Sequence, residues 1–327
     1  MVLLSADARQ TRADVRPLTP TSDGRYSDQM TTARSFTETR YDEVTVLASG
    51  NGGAFPYGNT VVARGSEGTL VVDPSVEVDH DPVGADAVMI SHAHEDHIAG
   101  LRHFHATKWA HREDVAGVRS LQALLDGYGL SPDERDAVDA MIGDTFALTP
   151  GFPDAKDVED GHVFDLGDIT ATVIHLPGHT RGHCGVLVEP TGFFYIADID
   201  LTSFGPMYGD LGSSVDDYLA SIARVREIEA RWYGTFHQKG VVEGVGEFRS
   251  RLAEYEAVIH RREERLLDFL ERPRTLEEIA DRRLVYRPHV QMPFVDAVER
   301  RTAELHLDRL IRHGQVGETD EGAYHRL

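Results

Sequence analysis

The chain has 327 residues, with 33 basic against 55 acidic side chains and a formal net charge of -22. So acidic a surface, its positive charge almost all arginine, repels nucleic-acid phosphates unless a basic groove forms locally. A lone cysteine, Cys184, excludes an internal disulfide and a cysteine-rich zinc site, and no apolar run reaches the ~20 residues of a membrane span or forms a signal-peptide core, so a cytoplasmic protein is expected.

Residues 1–40 are polar and aperiodic and read as a flexible leader, within which Met30 is an alternative start to Met1. From 41 to 90, EVTVLAS, NTVVAR, TLVVD and DAVMIS alternate with glycine-rich breaks. The first three read as hairpin-connected strands, and DAVMIS is apolar enough to be buried on both faces. It runs directly into SHAHEDH, residues 91–97, after which IAGLRHF begins a helix. The histidines thus sit at the carboxyl end of a buried strand, where α/β sheets place their chemistry.

Residues 113–143 read as two helices. Val118, Leu121, Leu124 and Leu125 share one face, and SPDE at 131–134 is a capping box with proline in the first turn. They serve either as packing helices or as a lid over the motif. Strands return in GHVFDLGD, TATVIHL, CGVLVEP and FFYIADID, a helix follows at 214–231, and YGTFHQKG is a last short strand and loop. This succession predicts a layered α/β sandwich over residues 41–247. The tail, 248–327, holds three helices, the second opening on a Thr275–Glu278 capping box, and a hairpin turning near Asp320 to Gly322. Three helices and a hairpin describe a small winged-helix-like α+β domain.

So many ionisable groups in seven positions need something to offset their crowding, and imidazole with carboxylate suits zinc, manganese or iron. His92 and His94, two apart in extended backbone, point the same way, while Asp96 and His97 turn toward a neighbouring point. One loop can therefore serve two ions. His179 in LPGHTRGH, Asp198 in FFYIADID and His237 in WYGTFHQKG each follow a strand-like run. Glu95 is expected to point away from the metals. His103, His105 and His111 match no motif and read as surface or packing residues. His183 is a candidate support for the ligands, and Cys184 a small core residue. Asp73 reads either as support for a ligand histidine or as a turn residue before Pro74. SFGPMYGDLG, 203–212, reads as a shaped loop lining an acyl pocket, with Tyr208 a lesser candidate for polarising a carbonyl.

This ordered set, from VVDPS through HAHEDH, PGHTRGH and the AD at 197–198 to His237, resembles the metallo-β-lactamase superfamily over roughly residues 42–240. The resemblance implies an αββα sandwich. It assigns His92, His94 and His179 to one divalent ion and Asp96, His97 and His237 to a second, with Asp198 bridging. Zinc is the first expectation, manganese or iron the second. It also implies a hydrolase in which a metal-bridging hydroxide, oriented by the catalytic carboxylates Asp96 and Asp198, attacks a small-molecule thioester, lactone or related ester. The main antibiotic-degrading class carries a cysteine where this chain has Asp198, so the likeness points to the glyoxalase II, lactonase and nuclease branches.

The alternatives are a phosphodiesterase or nuclease of the same fold and a mononuclear iron enzyme like the persulfide dioxygenases. The short interval from 198 to 237 and the acidic charge oppose the first; Asp96, His97 and His237 oppose the second. The tail resembles the winged-helix domain appended to some superfamily members. Its third helix carries Asp296, Glu299, Glu304 and Asp308 among its arginines, so packing or homodimerisation is expected rather than DNA binding.

Overall fold

The computed structural model describes residues 36–78, 83–148 and 151–327. Met1, Met30 and nearly all of the expected leader lie outside these residues. The first sheet has seven strands in sequential order: β1 (Thr37–Tyr41), β2 (Val44–Ala48), β3 (Thr60–Arg64), β4 (Thr69–Val72), β5 (Ala87–Ile90), β6 (Thr107–His111) and β7 (Lys156–Val158). β1 to β4 pair antiparallel, and β4 to β7 pair parallel. The second sheet comprises β8 (Val163–Asp165), β9 (Thr170–His175), β10 (Cys184–Glu189), β11 (Phe193–Tyr195), β12 (Trp232–Gly234) and β13 (Val241–Glu243), ordered β13-β12-β11-β10-β9-β8.

Helices α1 (Glu95–Ile98), α2 (Val115–Arg119), α3 (Leu121–Gly127) and α4 (Pro132–Phe146) interrupt the first sheet. α5 (Val215–Glu227) connects β11 to β12, and α6 (Val245–Phe269), α7 (Leu276–Arg282) and α8 (Val295–Arg312) follow β13. The chain ends in a hairpin of β14 (Val316–Glu318) and β15 (Tyr324–Arg326).

Alternation along the strands assigns every side chain to a layer, because successive residues face opposite sides of a sheet. Val61 and Ala63 of β3, Leu70 and Val72 of β4, and Met89 of β5 enter the core between the sheets. There they meet Val173 of β9, Val186 and Val188 of β10, Phe193 and Tyr195 of β11, and Cys184. Val62, Val71, Val88 and Ile90 face the other way, onto Val118, Leu124, Leu125, Val138, Ile142 and Phe146 of α2 to α4. Phe194 and Tyr233 of the second sheet pack outward on Ile222 and Val225 of α5 and on Phe248, Leu252, Tyr255 and Ile259 of α6. The result is the αββα sandwich.

Several elements depart from the sequence reading. β1 begins at Thr37, inside the expected leader; it is an exposed edge strand, so its sequence TETRY carries no apolar alternation. Helix begins within the histidine motif, at Glu95, and is followed by a 3-10 turn at Leu101–His103 and then by β6. Residues 113–143 form three helices, since Ser120 adopts extended backbone and caps α3 through the Ala123 amide. Both expected capping boxes, Ser131–Glu134 and Thr275–Glu278, are present.

The expected boundary at 247/248 falls inside α6. The amino-terminal half of that helix belongs to the core under the second sheet. Its last turn, with Leu266, joins a separate cluster with Leu270, Ile279, Ala303, Leu307, Leu310 and Val316. Phe248 stacks flat on Tyr233 of β12, centroids 3.6 Å apart. Phe248→Ala should therefore destabilise the catalytic layers, by about 3–5 kcal/mol for a buried aromatic. Denaturant unfolding followed by near-UV dichroism of the aromatic side chains checks this; an unchanged midpoint would detach α6 from that core.

Candidate metal centre

All seven expected ligands converge on the carboxyl edge of the two sheets. They form two clusters of candidate ligand atoms, His92, His94, His179 and Asp198 in one and Asp96, His97 and His237 in the other. In the first, His92 Nε2 lies 2.9 Å from His94 Nδ1, and His179 Nε2 lies 3.1 Å from each. Three nitrogens sharing one tetrahedral zinc at its usual bond length would be about 3.3 Å apart. In the second, His237 Nε2 lies 3.2 Å from Asp96 Oδ2. Asp198 stands between the clusters, with Oδ2 3.4 Å from His179 Nε2 and Oδ1 3.2 Å from His97 Nε2.

Each imidazole has its other nitrogen committed. His97 Nδ1 donates to Asp73 Oδ2 at 2.8 Å, and His179 Nδ1 to the Met207 carbonyl at 2.8 Å. His237 Nδ1 faces the carbonyls of Gly53 and Tyr57 at 2.9 and 3.1 Å. His92 Nδ1 meets Ser91 Oγ at 3.0 Å. His94 is reversed: its Nε2 is 3.0 Å from Asp210 Oδ2, leaving Nδ1 for the centre. Such outer partners fix both tautomer and ring orientation. Asp73 is itself held by the Ser91 amide at 2.7 Å and the Tyr195 hydroxyl at 2.8 Å, which decides its role in favour of ligand support. His183 donates from Nδ1 to the Leu176 carbonyl and accepts the Asp198 amide on Nε2, so it fixes the backbone of Asp198.

Local backbone supports this placement. Gly178, just before His179, has φ +130°, and a Cβ there would lie 2.3 Å from the Tyr218 nitrogen. Asp73 and Ala197 adopt positive φ, 49° and 47°, although neither is glycine. Strain of this kind persists where surrounding contacts over-determine the conformation.

The electrostatics fit a cation. Burial pushes the Asp198 carboxyl up, but His97 and His237 outweigh it and hold the group well below the usual carboxylate range. Burial, with His97, His94 and His179 nearby, holds His92 well below the ordinary imidazole value, so it is neutral and ready to ligate. Burial also opposes protonation of His94 and His237, yet Asp210 and Asp198 respectively draw them up to about 9. A bound cation would take over that charge balance. His97 Nε2 and Asp198 Oδ1 are buried facing each other at 3.2 Å without a well-formed hydrogen bond, and a cation between them would satisfy both.

The centre opens into a cavity of about 410 Å³. Its floor carries Glu95, Asp96, Asp198, Asp200 and Asp210; its walls are largely apolar, including Phe55, Leu130, Phe204, Met207, Phe294 and Val298. Glu95 stays out of both ligand clusters, as expected, yet because helix α1 starts at this residue its side chain lines the cavity and accepts a hydrogen bond from Tyr128. One expectation changes here. Tyr208 is fully buried against His306 and Arg262 and does not line the cavity. Tyr128 and Tyr286, both at the cavity, were not foreseen, since distant segments bring them there; Asp210 lies in the loop expected to line the pocket, but its bond to His94 was not foreseen.

The model of the Metallo-beta-lactamase superfamily matches residues 53–237, and the chain belongs to that superfamily. Among curated proteins it is similar to the acyl-coenzyme A thioesterase MBLAC2 of Gallus gallus, 29% identical over 205 residues, 53% of this chain and 68% of that protein. Among solved structures, a metallo-beta-lactamase family protein of Thermus thermophilus superposes with TM-score 0.66 at 21% identity, covering 87% of this chain and 99% of that one. A beta-lactamase domain protein of Burkholderia ambifaria gives 0.64 at 17% identity, covering 91% and 96%. At these identities the structural likeness concerns the fold, and it extends well past residue 237.

Removing the carboxylate behind His97 tests the outer partners. Asp73→Ala frees His97, Ser91 and Tyr195 together, and metal affinity should fall about 10–100-fold. Competition against a chromophoric chelator measures this; unchanged affinity would mean that Asp73 does not support the ligand.

Proposed function

We propose that the protein is a dinuclear metal-dependent hydrolase of thioesters or related acyl esters. The observation that carries this reading is the lining of the cavity: five carboxylates on the floor, apolar walls, and no lysine or arginine among the described lining residues. Beyond the metal ligands the described lining offers no lysine or arginine to pair the flanking charges of a polyanion, which disfavours the nuclease reading. A neutral acyl group fits the walls, and any phosphate-bearing carrier would remain outside. The thioesterase activity named for the chicken relative agrees with this chemistry. Two separate ligand clusters favour two ions over a single iron.

Divalent ions held by His92, His94 and His179, by Asp96, His97 and His237, and by Asp198 between them would acidify water and polarise the acyl carbonyl. The chain's own groups then direct the reaction. Asp198, fixed through its amide by His183, orients the attacking water and receives its proton. The water oxygen bonds to the acyl carbon, the carbon–sulfur bond breaks, and the sulfur leaves with the electron pair. Asp198 then passes that proton to the leaving sulfur, while Asp96, paired with His237, helps to orient the water. The apolar walls hold the acyl chain and exclude bulk water.

Protein purified without added metal should carry two ions per chain and cleave short and medium acyl thioesters in preference to phosphodiesters. One tightly held iron and no thioesterase activity would overturn the reading. Asp198→Asn keeps the shape but removes one charged oxygen, so metal content should fall and turnover should drop at least about a hundredfold. A half-buried wall residue tests the pocket separately: Met292→Trp should leave turnover of an acetyl thioester intact while reducing kcat/KM for an octanoyl thioester about tenfold.

A further inference from the structure

We infer that the carboxyl-terminal helices hold two ligands of the first metal site in place through the loop 204–213, with Arg262 and Arg301 as positioning residues. This rests on the metal assignment above but not on the substrate. The loop carries the groups that orient those ligands. The Met207 carbonyl takes the proton of His179 Nδ1, the Asp210 carboxylate sits on His94 Nε2, and Ser213 Oγ donates to the His179 carbonyl. Among the described residues this stretch has no regular secondary structure to fix these positions.

Its rigidity comes from α6 and α8. Arg262 of α6 is 1% exposed. Among the described residues its hydrogen bonds reach this loop: Nη1 to the Pro206 carbonyl and, at 2.9 Å, to the Tyr208 hydroxyl, and Nη2 to the Phe204 carbonyl at 2.9 Å. Tyr208 in turn meets His306 Nε2 of α8 at 2.8 Å, and His306 and Arg309 both engage Glu263 of α6. Arg301 of α8 donates Nε to the Asp210 carbonyl at 3.2 Å and Nη2 to the Leu211 carbonyl at 3.3 Å. Gly205, at φ +83°, lets the loop lie so close to α6 that a Cβ there would meet Val258 at 2.4 Å. The chain of contacts is short on each side: Arg262, the 204–207 backbone, His179; and Arg301, the Asp210 backbone and carboxylate, His94.

A buried guanidinium satisfied by fixed carbonyls is a rigid clamp, and its loss leaves those carbonyls unpaired. The loop would then relax, and with it the acceptors that hold two of the three first-site imidazoles.

The test is metal affinity in the full-length protein, measured by chelator competition with zinc and by the visible spectrum of the cobalt-loaded form. Arg262→Met should weaken one of the two ions about 10–100-fold while the other keeps its wild-type affinity. Arg301→Gln should give a smaller loss at that same ion. The exposed Arg326→Ala, whose side chain pairs only with Asp268 among the described residues, should change neither. If Arg262→Met fails to fold, Arg301→Gln, made at a half-buried position, decides alone. Variants that match the wild-type metal-free melting temperature and bind both ions with wild-type affinity would overturn the inference. A wild-type protein that binds no metal would overturn the metal assignment instead.

Discussion

A buried imidazole can give one nitrogen to a shared centre only when its other nitrogen is already bonded. Five histidines meet here, and their outer partners come from four stretches of chain: Asp73, Ser91, the loop with Met207 and Asp210, and the Gly53 and Tyr57 carbonyls. Much of the architecture follows from that requirement. Two sheets must end at one edge so that Asp73, Ser91 and Tyr195 can gather behind His97. The glycine turn before His179 and the left-handed residue before Asp198 follow from the same demand for exact aim.

The candidate ligands were legible because each is marked by its own local sequence. Each follows an apolar strand and sits in a turn whose residue types have few other uses. The two buried sheets were legible for a related reason: strands such as β4 and β5 are apolar on both faces. What escaped was whatever depends on distant pairing. β6, TKWAH, is half-buried and mixed in character, so no period marks it as a strand. Glu95 keeps out of the ligand clusters as expected, but its place in the cavity lining depends on a turn of helix that starts within the motif. Asp210 and Arg301 are ordinary residues in sequence and acquire meaning only across 91 positions.

Glu299 shows how the tail is turned to the service of the cavity. It stood among the acidic residues weighed against a DNA-reading helix, yet it is 1% exposed and accepts the backbone amides of Leu284, Val285 and Tyr286. Burial raises its carboxyl above the ordinary value while those amides pull it back. The bonds hold Tyr286 at the cavity wall, next to Phe204 and Phe294. The inner face of α8 is thus spent on packing and on shaping the pocket.

Helix α6 runs without interruption through 25 residues, a rod of roughly 38 Å at the usual rise per residue. It is rooted in the core beneath the second sheet at one end and in the terminal helical cluster at the other. A shared rod ties the two regions to one element. It also leaves no hinge at which a protease could part them, and no seam at which recombination could exchange one tail for another without cutting through a helix. In a lineage built this way, variation in the pocket roof would accumulate by substitution along α8 and its approach rather than by trading whole modules.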